Sequence, residues 1–187
     1  MASLRSPYDP RNAEMAVFQA LLAARKEYGG KKIVLHDADD RKLSYDDIVR
    51  AAFALGSALK KGTKRGEAVG LMLPTGAGAI ITFFAINAYG RVPAMLNFTA
   101  GARNVKAALK AAQVKRIVTA HAFIEKAELH ELVGELKSDA EFIYLEDVRK
   151  NIGLKAKISG VIRAKLANRV HRRFALGPDQ PAVMKRL

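Results

Sequence analysis

The sequence predicts an α/β fold in which helices flank a mostly parallel sheet. Two observations carry this prediction: short apolar segments alternate with helical patterns along the chain, and 50% of the 187 residues are hydrophobic. A chain of this length and composition can bury a core of ordinary size. Alternating strands and helices are typical of right-handed crossovers, and in such sheets ligands bind near the carboxyl ends of the strands.

The beginning of the chain predicts two helices separated by a hairpin. Asn12 can cap a helix that runs to about Tyr28, with an apolar side made of Phe18, Leu21 and Leu22. A hairpin follows, with strands over 33–36 and 42–43. Ser44 and Asp47 have the spacing of a capping box, so a second helix begins there. Its apolar stripe contains Ile48, Ala52, Leu55 and Leu59.

Four apolar segments then recur at regular intervals and predict the parallel strands: 69–73, 92–96, 117–119 and 142–145. The patterns between them predict helices over 77–89, 103–112 and 123–136. Residues 68–90 carry no charge and approach the length of a membrane span, but Pro74, Gly76 and Gly78 divide this run into a strand and a helix. The helix is apolar on all sides, so we expect it to be packed deeply or to leave apolar surface exposed.

The positive charge is concentrated towards the C-terminus. The formal net charge is +14, and residues 149–174 contain nine Lys and Arg residues and no acidic residue. We therefore divide the chain into an N-terminal α/β unit, residues 1–150, and a basic helical segment with the start of a further unit, residues 151–187. Such an excess of charge attracts polyanions: nucleic acid, anionic lipid or an acidic protein.

The basic segment predicts an amphipathic helix over 154–174. The candidate contact residues are Lys155, Lys157, Ile158, Ile162, Arg163, Arg169 and Arg173, and the apolar face also includes Leu154, Val161 and Leu166. Such a helix can lie on an anionic membrane. It can equally pack on its own domain with a solvated basic side, because Lys165 and Arg169 project back towards the apolar face. Nucleic acid is not expected, since no aromatic residues that could stack on bases are interleaved with the basic ones.

Other patterns indicate no catalytic or metal site. Cysteine is absent, which excludes disulfides and thiolate chemistry and favours a reducing, cytoplasmic setting. Residues 1–14 lack the apolar core of a signal peptide. The four histidines have no partner at metal-ligand or nucleophile spacing, and we expect them at the surface or in caps: His36, His121, His130 and His171.

Two turns that follow strands are candidates for ligand binding. The turn at 75–81 has the context of a dinucleotide fingerprint, but it lacks the third glycine and the acidic residue for a ribose, so a plain strand-to-helix turn is favoured. Asn97, Phe98 and Thr99 also follow a strand. Their side chains can face a ligand crevice, or they can form a capping turn before the next helix, which we favour.

Several segments of the chain carry a family resemblance. They read Leu-Ser-Tyr-x-x-Ile from Leu43, Arg-Gly-Glu-x-Val-x-Leu-Met-Leu-Pro from Arg65, and Gly-x-Val-Pro-Ala-Met-Leu-Asn-Phe-Thr-Ala-Gly from Gly90. They resemble the N-terminal part of adenylate-forming acyl-CoA and acyl-carrier-protein synthetases. The residues at 97–101 and the Tyr-Leu-Glu-Asp at 144–147 are most similar to the synthetase half of bifunctional acyl-[acyl carrier protein] synthetase/2-acylglycerophosphoethanolamine acyltransferases.

The resemblance implies a first subdomain of a ligase that activates a fatty acid with ATP and Mg²⁺. The acyl group then passes to acyl carrier protein or coenzyme A, in phospholipid acyl recycling. These ligases bind ATP through a loop resembling T-S-G-S-x-G-x-P-K-G, which this chain lacks: after Val183 it reads Met-Lys-Arg-Leu. We therefore assign no catalytic, cofactor-binding or metal residue and expect an opening portion of a ligase that is inactive alone. Self-association through exposed apolar surface and a peripheral position at the inner membrane face are further expectations.

Overall fold

A five-stranded parallel sheet lies between two layers of helices in the computed structural model. The structure describes residues 15–37, 40–151, 154–177, 181 and 183–185. A two-stranded antiparallel hairpin precedes the sheet in the chain. The predicted fold class, α/β with a mostly parallel sheet and flanking helices, is confirmed.

The nine helices of the described residues are α1 (Val17–Tyr28), α2 (Tyr45–Leu59), α3 (Ala77–Ala88), α4 (Ala102–Ala111), α5 (His121–Lys126), α6 (His130–Leu136), α7 (Leu145–Asn151), α8 (Leu154–Lys165) and α9 (Ala167–Arg172). The hairpin consists of β1 (Ile33–His36) and β2 (Lys42–Ser44). The sheet consists of β3 (Ala68–Leu71), β4 (Val92–Met95), β5 (Arg116–Thr119), β6 (Glu141–Tyr144) and β7 (Met184–Lys185). A short 3₁₀ helix, Phe98–Ala100, follows β4.

The strand order is β6-β5-β3-β4-β7, and every neighbouring pair is parallel. The chain passes from β3 to β4 in one direction and then returns across β3 to form β5 and β6. The topological switch point therefore lies between β3 and β5. In open α/β sheets, ligands bind in the crevice at the carboxyl ends of the strands at this point.

Successive side chains of the strands point to opposite faces, so each strand contributes to two cores. On one face, Val69 and Leu71 pack with α1, α2, α3, α8 and α9. On the other face, Ala68, Met72 and Ile117 pack with α4, α5 and α6. Residues 160–174 thus pack in the same layer as α1–α3. The predicted division of the chain into two units at residue 150 stays a prediction.

Local signals in the sequence account for the first elements. Ser44 accepts a hydrogen bond from the backbone of Asp47, and the Asp47 carboxylate accepts one from the backbone N–H of Ser44, so the predicted capping box is confirmed. The hairpin and the buried side of α1 also agree with the predictions. Asn12, the predicted cap of the first helix, lies outside the described residues.

Two predicted helices are each divided in the structure. The helix expected over 123–136 is interrupted between α5 and α6, where Glu128 has a φ of 52° that no α-helix accommodates. The helix expected over 154–174 is interrupted at Leu166, between α8 and α9. Apolar periodicity continues across both breaks, which is why the sequence pattern predicted continuous helices.

The apolar helix α3 is packed deeply, which is one of the two alternatives that we expected, and none of its residues is exposed. Its residues Thr82, Ala85, Ile86 and Asn87 are buried, and Ile81, Phe83 and Phe84 are half-buried against the core. Among the described residues, the exposed large apolar side chains lie elsewhere: Tyr28, Ile33, Val34, Met95, Val161, Ile162 and Leu166. No helix in this part of the chain combines the length and the hydropathy needed to cross a membrane.

Candidate functional site

The switch point of the sheet is built around a buried hydrogen bond. Thr119, the last residue of β5, is fully buried, and its hydroxyl donates to the carbonyl oxygen of Met72, directly after β3, at 2.8 Å. This bond holds the carboxyl ends of the two strands together. The turn at 73–76 and the start of α5 follow these two strands and so lie at the edge of the sheet where this class of fold binds ligands.

Asn97 forms a capping turn as predicted, but it caps the 3₁₀ helix Phe98–Ala100, whereas α4 begins after Gly101. Its side-chain oxygen accepts hydrogen bonds from the backbone N–H of Thr99 at 3.1 Å and from the Thr99 hydroxyl at 2.7 Å. A cleft of about 340 Å³ lies between this turn and α4, lined by residues that include Asn97, Ala100 and Asn104. The Asn97 oxygen is engaged within the turn, and Asn97 forms part of the wall of the cleft.

A pair of ionisable residues that sequence reasoning missed lies at the carboxyl ends of β5 and β6. His121 Nε2 is 3.0 Å from Asp147 Oδ2, and the imidazole stacks on the Tyr144 ring with centroids 3.8 Å apart. A carboxylate in this position orients an imidazole. All three residues lie at or just after the end of a predicted strand, and this position was the signal in the sequence that could have identified them. The sequence did not show that β5 and β6 are neighbours, which is what brings the side chains together.

Glu146, on α7 after β6, contacts the start of α5, which follows β5. Its carboxylate accepts hydrogen bonds from the backbone N–H groups of His121 at 3.0 Å and Ala122 at 3.2 Å, at the start of α5. Burial acts to raise the pKa of Glu146, but backbone hydrogen bonds from Glu146 itself, His121 and Ala122 outweigh it, so the pKa lies below its usual value. Glu146 is therefore an ionised cap that fixes α5 to α7.

The structure places only some of the predicted contact residues of the basic segment. The side chains of Lys155, Lys157 and Ile158 lie outside the described residues. Ile162 is 55% exposed, and Arg169 and Arg173 are exposed on α9 and directly after it. Arg163 differs from them, because its Nη1 donates to the Tyr89 hydroxyl at 2.6 Å.

Tyr89 lies at the centre of a cluster of cationic side chains, Lys60, Arg91 and Arg163, that the sequence did not reveal. Lys60 Nζ lies 4.8 Å from the centroid of the Tyr89 ring and 5.4 Å from that of Phe174. Burial, followed by the charges of Arg163 and Arg91, lowers the pKa of Lys60. Burial raises the pKa of Tyr89, although Arg163 acts in the opposite direction. The cluster connects the ends of α2 and α3 to α8 and the chain after α9.

His171 corrects the expectation that the histidines lie at the surface or in caps. It is 2% exposed, its ring centroid is 5.0 Å from that of Phe18, and its Nδ1 is 3.1 Å from the carbonyl oxygen of Ala88. Its surroundings are apolar because α9 packs on α1. Within the described ranges, no three His, Cys, Asp or Glu residues are close enough together to hold a metal ion.

Comparison with solved structures supports the fold. VinN in complex with 3-methylaspartate is 16% identical over 89% of this chain and 42% of its own length, with a TM-score of 0.63. The o-succinylbenzoate CoA synthetase MenE from Bacillus subtilis, in complex with its acyl-adenylate intermediate, is 16% identical over 70% of this chain and 32% of its own length, with a TM-score of 0.59. The N-terminal domain of FACL13 from Mycobacterium tuberculosis is 16% identical over 74% of this chain and 36% of its own, with a TM-score of 0.62.

This chain spans less than half the length of each of these structures. At 16% identity the likeness establishes the fold alone. The sequence adds a family: the AMP-binding enzyme family matches residues 22–184, which is most of the chain. The match includes the segments that carried the resemblance, the switch point and the first residue of β7. The chain therefore belongs to the AMP-binding enzyme family.

Proposed function

We propose that this chain is the N-terminal part of a ligase that activates a fatty acid as an acyl-adenylate and transfers the acyl group to the thiol of acyl carrier protein or coenzyme A. The observation that carries the proposal is the family match over residues 22–184. The acyl-carrier-protein branch and a role in phospholipid acyl recycling rest on the segments at 97–101 and 144–147.

The position of β7 supports the proposal that a phosphate loop follows this strand in the complete enzyme. Ala94 pairs with Met184 and Met95 with Lys185, so the chain returns to the sheet beside β4. In the resembled ligases, the phosphate loop follows the strand that begins at the position of Val183. The switch point and the Asn97 cleft lie at the carboxyl ends of the same sheet, where that loop would join them.

We assign no residue of this chain to the binding of ATP or Mg²⁺. The 187 residues contain no Gly/Ser/Thr-rich loop of the family type, and the described part of the chain offers no three-ligand metal group. Both cofactors are therefore proposed for the complete enzyme, and no step is assigned to them here. We expect the isolated chain to be inactive, since without the loop nothing orients the triphosphate or stabilises its developing charge.

Fatty-acid-dependent exchange of pyrophosphate into ATP tests both parts of the proposal. The isolated chain should give only background exchange. A chimera in which residues 22–184 replace the matching part of an active fatty acid ligase should exchange pyrophosphate and load acyl carrier protein or coenzyme A. The host with its own segment, and the same host with a disabled phosphate loop, are the controls.

Two outcomes would contradict this proposal. Exchange by the isolated chain would mean that it contains an activating site of its own. A chimera that folds, judged by circular dichroism, but shows no exchange above the disabled host would overturn the assignment to a fatty acid ligase.

A second candidate function is favoured by the exposure of Ile162 beside exposed basic residues. In this alternative the chain is a non-catalytic binding protein that contacts an anionic membrane or an acidic partner through its basic helices. Complementary charge suits either contact. A peripheral position at the inner face of the membrane would follow from the first.

A further inference from the structure

The outer side of α8 and α9 combines exposed apolar and basic side chains. Val161, Ile162 and Leu166 are 45%, 55% and 48% exposed. Exposed Lys and Arg side chains lie on the same helices or directly after them. We call this set the outer basic face, and it consists of Val161, Ile162, Lys165, Leu166, Arg169, Arg172 and Arg173.

The opposite side of these helices is fixed to the protein. Gly160, Ala164, Ala167 and His171 are buried there, and a side chain at Gly160 would lie 3.1 Å from Ala54 Cβ, so α8 and α2 are in close contact. The small residues allow this approach. The apolar residues of the outer basic face lie on the other side of the same turns, since residues repeat every 3.6 positions along a helix.

Specific hydrogen bonds prevent the helices from rotating to bury the exposed row. Arg25 Nη1 donates to the carbonyl oxygen of Ala164 at 3.2 Å, and Arg163 Nη1 donates to the Tyr89 hydroxyl at 2.6 Å. His171 Nδ1 is bonded to Ala88 further along. Turning Ile162 and Leu166 inward would break these bonds and expose His171.

The charge and the chemistry of this face fit one kind of partner. Residues 149–174 carry no acidic residue, so the face complements a surface of negative charge. An acidic protein would complement the charge. The three aliphatic side chains in one row also favour a partner with an apolar interior that they can enter, such as a lipid bilayer. Nucleic acid would need aromatic platforms, and Phe174, the aromatic residue of this segment, is half-buried with its ring 5.1 Å from that of Tyr89.

We propose that the outer basic face binds the surface of an anionic lipid bilayer. Lys165, Arg169, Arg172 and Arg173 contact the headgroup phosphates, and Val161, Ile162 and Leu166 enter the boundary between headgroups and acyl chains. The contact is at the surface, as no helix of the described residues is fit to span the membrane. The proposal rests on the second candidate function and names its partner; it does not depend on ligase activity.

Sedimentation of the 187-residue chain with vesicles tests this proposal. Phosphatidylcholine vesicles are compared with vesicles that also contain phosphatidylglycerol, at low salt and at about 1 M salt. We expect binding to the anionic vesicles, weakened at high salt because the Debye length falls from about 10 Å at 0.1 M to about 3 Å. Insertion of the apolar row should leave a salt-resistant part.

Matched variants separate the two contributions. Arg169→Gln with Arg172→Gln should weaken binding at low salt by about fivefold per side chain. Arg103→Gln with Lys110→Gln on α4 removes the same net charge from exposed positions elsewhere and should have a smaller effect. Ile162→Asp with Leu166→Asp should abolish the salt-resistant part, whereas Val34→Asp, at a 40% exposed apolar residue of the hairpin, should not.

Three results would overturn the proposal: equal binding to neutral and anionic vesicles, binding to neither, or equal losses from the α9 and α4 charge pairs. Circular dichroism of each variant confirms that the fold is retained. Vesicle binding and pyrophosphate exchange are independent measurements. Failure of one therefore leaves the other proposal standing.

Discussion

Arg91 shows how a single residue holds two elements in place through hydrogen bonds to carbonyl and hydroxyl groups. It is 9% exposed, and its guanidinium donates to the Thr63 hydroxyl at 2.9 Å, to the Tyr89 carbonyl at 2.6 Å and to the carbonyls of Lys60 and Thr63. Burial lowers its pKa. Five donors in a planar fork suit several carbonyl groups at once, so lysine is not an equivalent residue here. The interaction fixes the end of α2 beside the start of β4.

His171 predicts a specific dependence of stability on pH. Burial lowers its pKa below the ordinary value of 6.5, although the bond with Ala88 acts in the opposite direction. Above about pH 7.5 His171 is neutral in both the folded and the unfolded chain, so it does not reduce the free energy of unfolding. As the pH falls below 6.5, His171 becomes protonated in the unfolded chain but stays neutral in the folded chain. The free energy of unfolding therefore decreases by up to about 1.4 kcal/mol per pH unit until the pH reaches the pKa of His171 in the folded chain.

Urea unfolding between pH 7.5 and 5.5 measures this effect. His171→Gln should show a shallower decline than the unmodified chain. His130→Gln is the matched control, because its side chain is 63% exposed, and it should retain the decline. Identical slopes for the unmodified chain and His171→Gln would show that other groups control acid stability.

These residue-scale features were largely beyond sequence reasoning. His171 lies in a stretch of basic residues, and only the packing of α9 against Phe18 makes its environment apolar. The His121–Asp147 pair required knowledge of which strands are neighbours. Asn97 was predictable as a cap, because its hydrogen bonds to Thr99 are local.

At the scale of elements, α2 and α3 are in close contact at one glycine. A Cβ atom on Gly56 would lie 2.4 Å from the carbonyl oxygen of Ala85 and 2.7 Å from the Tyr89 ring. Such distances require the backbone of one helix to shift. Gly56 therefore sets the separation of the two helices that cover one face of the sheet.

Gly56→Ala should destabilise the protein by about 1–3 kcal/mol, because overpacking outweighs the roughly 1 kcal/mol that alanine gains in helix propensity. Gly134→Ala is the matched control. It lies on the exposed side of α6 with nothing within 4 Å of the added methyl group, and it should be neutral or stabilising by up to about 1 kcal/mol. The two midpoints of urea unfolding give the comparison, and equal shifts would contradict the packing argument.

The order of strands and helices was predictable because apolar segments and turn residues alternate clearly in the sequence. Helix continuity was not, since the pattern of apolar residues in α5 and α6 continues across the turn at Glu128. The helix α7 was also missed: the sequence predicted the strand to end at Leu145, but this residue begins the helix. Nor does the sequence show that β5 pairs with β3 rather than β4.

At the scale of the whole molecule, a formal net charge of +14 opposes self-association while exposed apolar side chains favour it. We expect the 20.4 kDa chain to associate more as the salt concentration rises, because salt screens the repulsion and leaves the apolar contacts. Lipid binding should show the opposite dependence. Light scattering over a series of concentrations, at low and high salt, measures the association.

Two exposed apolar regions can be separated in the same measurement. Ile33→Lys with Val34→Lys alters the hairpin, and Ile162→Lys with Leu166→Lys alters the outer basic face, so both pairs add the same charge. We expect the second pair to reduce association more, since it removes the more exposed residues. A monomer at all concentrations and salts, without binding of a hydrophobic dye, would contradict this prediction.

The pairing of β7 with β4 has a consequence for how the protein is made. Ala94 and Met184 are partners although ninety residues separate them, whereas β3, β4, β5 and β6 are complete once Tyr144 has been synthesised. During translation the outer edge of β4 is therefore an unpaired row of backbone donors and acceptors until β7 emerges from the ribosome. An open edge of this kind is a template for pairing with another chain. The nascent chain is thus most vulnerable to misassembly in the interval between Tyr144 and Met184.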